Sequence, residues 1–363
     1  MRLSAICAVI AGMLCATAAH SGPFSYLDSG FTQEIYAAPL TPNQEAGMAW
    51  TSSGNLLTRA GSTIIEYKPT QSAGPQGTNV HGVLTSHPIS GLASSGYGMT
   101  KGLNGYIYTQ TAGGLQRFDP NNWASAAVNV PLTVGGYYGI TTLPDGRIAY
   151  NAGPNSASVY IYDPVGGSNT LVYTSPGNID DIEASSMGVI ALAGQMGLSI
   201  TIISSTGAVI NTLTGLSHHP DGLAFGEGPF ANALFSNNND GSITQYMLGP
   251  GYTGVPVITD IATSTAGSRA YGDLASVGPD CAFYVTQYDN GNANGSNAGI
   301  GTHWDNGNVT NEASIIRIAL GPRSDGSVVC GFGYATENTP EPGSLLALGS
   351  GLIAFTGLAM CRK

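Results

Sequence analysis

The chain has 363 residues, of which 52 are Gly and 20 are Pro; only 9% are charged, and the formal net charge is −11. Composition so rich in turn formers and so poor in charge fits an all-β domain rather than a helical bundle. The acidic balance excludes the broad basic faces that nucleic acid or an anionic membrane surface requires.

In chain order, the first stretch reads MRLSAICAVIAGMLCATAAH. A positive start at Arg2, a short apolar run and the small-x-small triplet Ala16-Thr17-Ala18 predict a secretory signal peptide over residues 1–19, helical before its removal. The stretch Thr32–Ala37 then reads as a single strand.

From there to about residue 335 the chain repeats one plan. An apolar residue follows a small or acidic one at Met48, Met99, Ile140, Ile182, Leu223 and Leu274, in steps of 51, 41, 42, 41 and 51 residues. The preceding residues are Gly47, Gly98, Gly139, Asp181, Gly222 and Asp273. A later apolar run recurs at Tyr67, Phe118, Tyr162, Ile203, Tyr246 and Ile318, and three of these sit just before a proline (Pro69, Pro120 and Pro164). Proline there fits a strand that has ended, because it cannot donate to a ladder. Several short strands per period of about 40–45 residues are the mark of a propeller.

Six units predict a six-bladed β-propeller over residues 24–335, with four-stranded blades. Fourth strands are expected at Val83–Thr85, Val128–Val134, Thr170–Tyr173, Val209–Leu213 and Val257–Ile261. Thr32–Ala37 would complete the last blade and close the ring, a role for which Ser327–Tyr334 competes. Cys281 and Cys330 are the two cysteines outside the terminal segments, and an even pair in an oxidising compartment suggests one disulfide, the alternative being two buried thiols.

Loops feeding the innermost strands share a face with the turns between second and third strands. That face should collect Glu45, Tyr97, Tyr138, Asp180, Asp181, Asp221 and Asp273 from the former. From the latter it should collect Asn151, Asn155, Asn237, Asn238, Asn239 and Asp240, with Arg269 as a nearby cation. Carboxylate and amide oxygens suit a hard cation such as Ca²⁺, with Glu45, Asp180, Asp181 and Asp221 as candidate ligands; plain turn chemistry explains the same residues. His218 and His219, just before Asp221, are either a general base or turn residues. The last unit is longer by about 21 residues, an Asn/Gly-rich insertion from Tyr288 to Asn311 that carries Trp304. Tyr97, Tyr138, Asn238 and Trp304 are candidate ligand-binding residues, and flat aromatic faces such as that of Trp304 match the apolar faces of sugars.

The final segment, residues 336–363, holds Pro340-Glu341-Pro342, an apolar stretch from Gly343 to Met360 expected to be helical, and a basic end at Arg362 and Lys363. The apolar stretch is just long enough to enter a bilayer. This tail resembles the PEP-CTERM sorting signal of exported bacterial proteins. The resemblance implies a Gram-negative host, an exosortase that reads Pro340, Glu341 and Pro342, and a product for the cell surface or exopolysaccharide matrix. Losing residues 1–19 and 340–363 would leave 8 basic and 21 acidic residues, a formal charge of −13.

The repeat itself resembles the regucalcin/gluconolactonase-like and NHL-type propellers as a loose pattern over roughly residues 32–320. In the lactonase branch a first-blade Glu, Asn residues and a late-blade Asp bind a divalent metal at the channel mouth, and Glu45 and Asp221 fall at about those places. Glu45 lies one position earlier in its repeat than Asp221 does, and no Asn in the third or fourth repeat matches the family's ligand. No GxSxG, HExxH, Walker or EF-hand pattern is present. The reading is an exported surface or matrix propeller that binds rather than catalyses; the alternative is a metal-dependent lactonase, hydrolase or lyase.

Overall fold

A computed structural model describes residues 24–28, 30–37, 44–67, 83–136, 138–153, 156–194, 197–264, 270–289, 303–305, 308–310, 314–320 and 331–332. Six antiparallel sheets are arranged around one axis, and each carries one of the repeated opening residues on its innermost strand. The chain is a six-bladed β-propeller.

Blade 1 comprises Gln44–Trp50, Leu56–Ala60, Thr63–Tyr67 and Val83–Pro88, from axis to rim. Blade 2 comprises Met99–Lys101, Ile107–Thr111, Gly114–Phe118 and Val128–Asn129. Blade 3 follows with Ile140–Thr142, Ile148–Ala152, Ser158–Tyr162 and Asn169–Thr174. Blade 4 has Ile182–Ala184, Val189–Gly194, Ser199–Ser204 and Val209–Thr214. Blade 5 has Pro220–Phe225, Ala233–Asn238, Ile243–Gly249 and Thr253–Ser264. Blade 6 uses Ala270–Val277, Phe283–Asp289 and Ser314–Leu320.

The outer strand of blade 6 is Phe31–Ala37, paired antiparallel with Ser314–Leu320. The start of the propeller thus completes its last blade, as the sequence predicts. Phe332 forms only an isolated bridge to Gly226, and the rest of Ser327–Tyr334, Gly331 apart, lies outside the described residues. Two features differ from expectation. Val128–Val134 contributes only Val128–Asn129 to its ladder; beyond it Val130 turns inward and Thr133 Oγ1 accepts the Leu115 N–H in place of a strand partner. Phe24–Leu27 adds a fifth strand to blade 5, against the far end of Thr253–Ser264.

Each inner strand packs on the next, and that of blade 6 returns to that of blade 1. The recurrent glycine makes this possible. A Cβ at Gly47 would stand 1.6 Å from the Tyr97 carbonyl oxygen, and one at Gly98 would stand 1.7 Å from that of Tyr138. At Gly139 and Gly222 a Cβ would meet the next blade's backbone nitrogen, of Ile182 at 2.4 Å and of Ala275 at 2.5 Å. Between blades the apolar faces bury one another in successive clusters, such as Ala49, Leu57, Ile64, Met99 and Ile107 between blades 1 and 2. Blades 5 and 6 meet through Phe31, Phe230, Phe235, Phe283 and Phe332, with Phe31 stacked on Phe230 at 5.5 Å and Phe332 edge-on to Phe235 at 4.7 Å.

Within the insertion of blade 6, His303–Asp305 pairs with Asn308–Thr310 as a small separate ladder. Cys281 is disulfide-bonded; Cys330 lies outside the described residues. So do the predicted signal peptide and sorting tail. Among the described residues no helix is long and apolar enough to cross a membrane.

The glycine column makes a direct prediction. Gly98→Ala forces a methyl into the neighbouring backbone and should cost about 3 kcal/mol or more. Gly177→Ala, whose Cβ would meet nothing within 4 Å, should be close to neutral. Urea unfolding of the two variants checks this, and equal midpoints would refute the close-packing account.

Candidate functional site

The second strands carry a column of polar side chains beside the inner strands. Position by position it reads Arg59, Gln110, Asn151, Ala193, Asn237 and Gln287, one per blade. The backbone N–H groups of Gln110, Asn151 and Ala193 donate to the carbonyls of Gly98, Gly139 and Asp181 respectively, which confirms the alignment.

The side chains of this column reach across to neighbouring blades. Arg59 is fully buried and donates to Thr109 Oγ1 at 2.7 Å, to the Gln110 carbonyl at 2.9 Å, and to the carbonyls of Gly61, Ala93 and Ser95. Its burial lowers the guanidinium pKa to about 10, yet the group stays charged at neutral pH, with its five N–H donors turned to protein oxygens. Gln110 donates to the Gly139 carbonyl and, at 3.1 Å, to Asn151 Oδ1. Asn151 donates to the Ile179 carbonyl of the connection into blade 4. Asn237 donates to the Thr286 carbonyl at 3.1 Å, and Gln287 donates back to Asn237 Oδ1 at 2.6 Å. Blade 4 has only Ala193 in the column. There Asp181 serves instead, its Oδ2 accepting the Leu223 N–H of blade 5 at 2.8 Å.

Inside this belt lies the channel, with a cavity of about 70 Å³ lined by residues that include Trp50, Thr100, Lys101, Tyr138, Thr141, Asp181, Glu183 and Ser276. That volume holds a few waters or one small group rather than a whole drug-sized molecule. Glu183 is half-buried and lines this cavity. Burial pushes its carboxyl well above the ordinary carboxylate range, and the negative charge of Asp181 adds to the effect; hydrogen bonds with Thr141 and the Ala184 N–H oppose it. Glu183 therefore favours its neutral form.

At the mouth, Tyr97 and Tyr138 lie side by side, half-buried, with ring centroids 5.5 Å apart and planes inclined at 35°. These two expected ligand-binding residues are brought together. Asn238 is not with them: it is fully buried, donating to Ser242 Oγ and Thr244 Oγ1 and accepting from Ser236 Oγ within its own blade. Trp304 sits on the small ladder of the insertion, and its side chain lies outside the described residues.

The expected calcium ligands fare differently. Asp181 and Asp221 are buried at the heads of neighbouring inner strands, and Asp180 is half-buried beside Asp181. Glu45 pairs with Arg59 in the blade 1 ladder, and its side chain is outside the described residues. Among the described residues no group of three or more His, Cys, Asp or Glu side chains is placed to hold a metal ion. Arg59, Gln110 and Gln287 carry roles that a search along the inner strands alone does not reveal.

No protein-family model matches this chain, and no curated protein matches it. Solved structures do. The chain is similar to an aldose sugar dehydrogenase from Streptomyces coelicolor in its PQQ-bound form, with TM-score 0.53 and 13% identity over 80% of this chain and 99% of that one. A putative oxidoreductase (glucose dehydrogenase) from Thermus thermophilus gives TM-score 0.52 and 14% identity over 80% and 100%. A streptogramin B lyase gives 0.50 and 13% over 80% and 98%. At such identities the likeness is one of fold.

Glu183 makes stability depend on pH. Below about pH 4.5 the folded and unfolded chains both hold the proton; above it the unfolded chain releases its proton first. The folded state therefore loses relative stability as pH rises toward the raised folded value. Glu183→Gln should gain on the wild type progressively above pH 4.5 in unfolding measurements, and a difference that stays constant with pH would refute this assignment.

Proposed function

We propose that this chain is an exported, non-enzymatic propeller of a bacterial cell surface or exopolysaccharide matrix, and that it binds carbohydrate at the channel mouth through Tyr97 and Tyr138. The observation that carries the reading is the adjacent pair of half-buried rings above a narrow polar channel. Tyrosine offers a sugar an apolar face and a hydroxyl at little conformational cost. The belt that surrounds the channel uses the amides of Asn151, Asn237 and Gln287 for blade-to-blade bonds. Delivery follows from the Pro340-Glu341-Pro342 tail, read by an exosortase after export on the signal peptide.

The test is retention of the full-length chain on the host's exopolysaccharide. Replacing Tyr97 and Tyr138 together by Ala should weaken retention at least tenfold, the loss of about 1.4 kcal/mol or more. The backbone carbonyls that meet Gly47 and Gly98 are kept in this variant, so the melting temperature should hold. Unchanged retention would overturn the reading. Intact mass of protein recovered from the host surface should show both terminal segments removed.

One observation favours a second reading, a hydrolase or lyase. Asp181 and Glu183 line one cavity, with Asp181 hydrogen-bonded by a backbone N–H and Glu183 pushed toward the neutral form. Carboxyl groups set apart in this way suit acid–base chemistry. Turnover of a simple lactone that Glu183→Gln abolishes would decide for this reading over the binding one.

A further inference from the structure

His218 lies on the connection from the outer strand of blade 4 to the inner strand of blade 5, on the face that carries the channel mouth. Its ring is held on both sides. Nδ1 is 2.5 Å from Asp240 Oδ2, on the turn between the second and third strands of blade 5, and Nε2 is 3.2 Å from Asp260 Oδ2, on that blade's outer strand. The other oxygen of each carboxylate is occupied too. Asp240 Oδ1 accepts the N–H and hydroxyl of Ser242, at 3.0 and 2.6 Å, and Asp260 Oδ1 accepts the hydroxyl of Thr244 at 2.8 Å.

A neutral imidazole has one N–H and one lone pair, whereas ionised carboxylates only accept. Two carboxylate partners on opposite nitrogens are satisfied together only by the doubly protonated ring. We propose that His218 is a proton-dependent latch that pins residues 215–219 to blade 5 while it is charged and releases them when it loses a proton. The deprotonated nitrogen would face a carboxylate lone pair to lone pair, and one of the two attachments would break.

The groups facing His218 are consistent with this. They are Asp240 from the turn and Asp260 from the outer strand, with the adjacent His219 on the same connection; the Tyr246 phenol of the third strand, near those two carboxylates, is kept neutral by burial with a pKa of about 12. Burial of the ring disfavours its charge, but the bonds and charges of Asp240 and Asp260 outweigh burial and raise the pKa above 6.5. Asp240 is correspondingly lowered: burial opposes its charge, and bonds from Ser242 and His218 prevail. The latch is complete below the unfolded value of 6.5 and is lost as pH rises through the higher folded value. A backbone bond from the Asn239 N–H to the His219 carbonyl remains in both states, so release is local.

Hydrogen–deuterium exchange of the full-length chain, followed by mass spectrometry across a pH series and corrected for intrinsic rates, tests this. In the wild type, exchange over residues 215–219 should rise severalfold as pH passes through the His218 value, while the inner strand of blade 5 stays protected. His218→Gln should show the released rate at every pH. Asp260→Asn, whose amide can accept from the charged ring or donate to the neutral one, should keep residues 215–219 protected and flatten the pH dependence. A pH-independent rate in the wild type, or the same pH profile in His218→Gln, would overturn the proposal.

Discussion

The inner strands of this propeller approach one another more closely than a side chain permits. At Gly47, Gly98, Gly139 and Gly222 the missing Cβ is occupied by the neighbouring blade's backbone. Six sheets can share one narrow axis only if their inner edges nearly touch, and a glycine column supplies that contact without demanding unusual backbone. Blades 4 and 6 carry Asp181 and Asp273 in place of the glycine, and blade 4 shows the same need from the other side. Asp181 replaces the glycine, and its carboxylate takes the Leu223 N–H of the next blade. Where a side chain must occupy the junction, it has to be one that bonds to the backbone it displaces.

Close approach brings a second requirement. Backbone groups at the inner ends of the blades are buried and need partners, since an unmet buried carbonyl or N–H costs about 1–3 kcal/mol. Arg59, Gln110, Asn151 and Asn237 of the column meet it by reaching sideways to carbonyls of the next blade, and Gln287 braces Asn237 from the far side. A belt of this kind ties neighbours together directionally, which apolar faces alone do not. It also limits chemistry, because amides committed to carbonyls are not available to a ligand. Residues such as Asn151 and Asn237, which look like ligands in a polar turn, serve as structure.

The blade count, the inner strands and the closing strand were legible in the sequence because the repeat marks them with a small or acidic residue followed by an apolar one. The belt was not legible for a geometric reason. Met48, Met99, Ile140 and Ile182 pair with residues ten positions on, at Thr58, Thr109, Tyr150 and Leu192, but Leu223 pairs with Ser236, thirteen positions on. The single helical turn Gly228–Phe230 accounts for the difference. A column read at constant spacing therefore misses Asn237 and places it in a turn. Glu183 was hidden for another reason: nothing in an isolated Ile-Glu-Ala triplet tells a solvated carboxylate from one that faces a channel. The strand Phe24–Leu27 has no counterpart in any repeat, so periodicity could not find it.

Closure by the chain's own beginning has an energetic consequence. Thr32 and Ala319 are neighbours in blade 6 although 287 residues separate them, and joining such distant positions costs about 5 kcal/mol of chain entropy. Backbone pairing between Phe31–Ala37 and Ser314–Leu320 begins to offset this, at about 1 kcal/mol per bond. The larger offset comes from the phenylalanines at the same seam. Phe24, Phe31, Phe235, Phe283 and Phe332 are all buried there. At about 2 kcal/mol each they contribute on the order of 10 kcal/mol, an upper figure because the unfolded chain already hides part of that surface. Among the described residues, the seam that costs the most entropy to close is thus the most aromatic junction in the ring. Phe24–Leu27 extends the closure by joining blade 5 just before Phe31–Ala37 joins blade 6, so that one continuous segment spans the last junction from both sides.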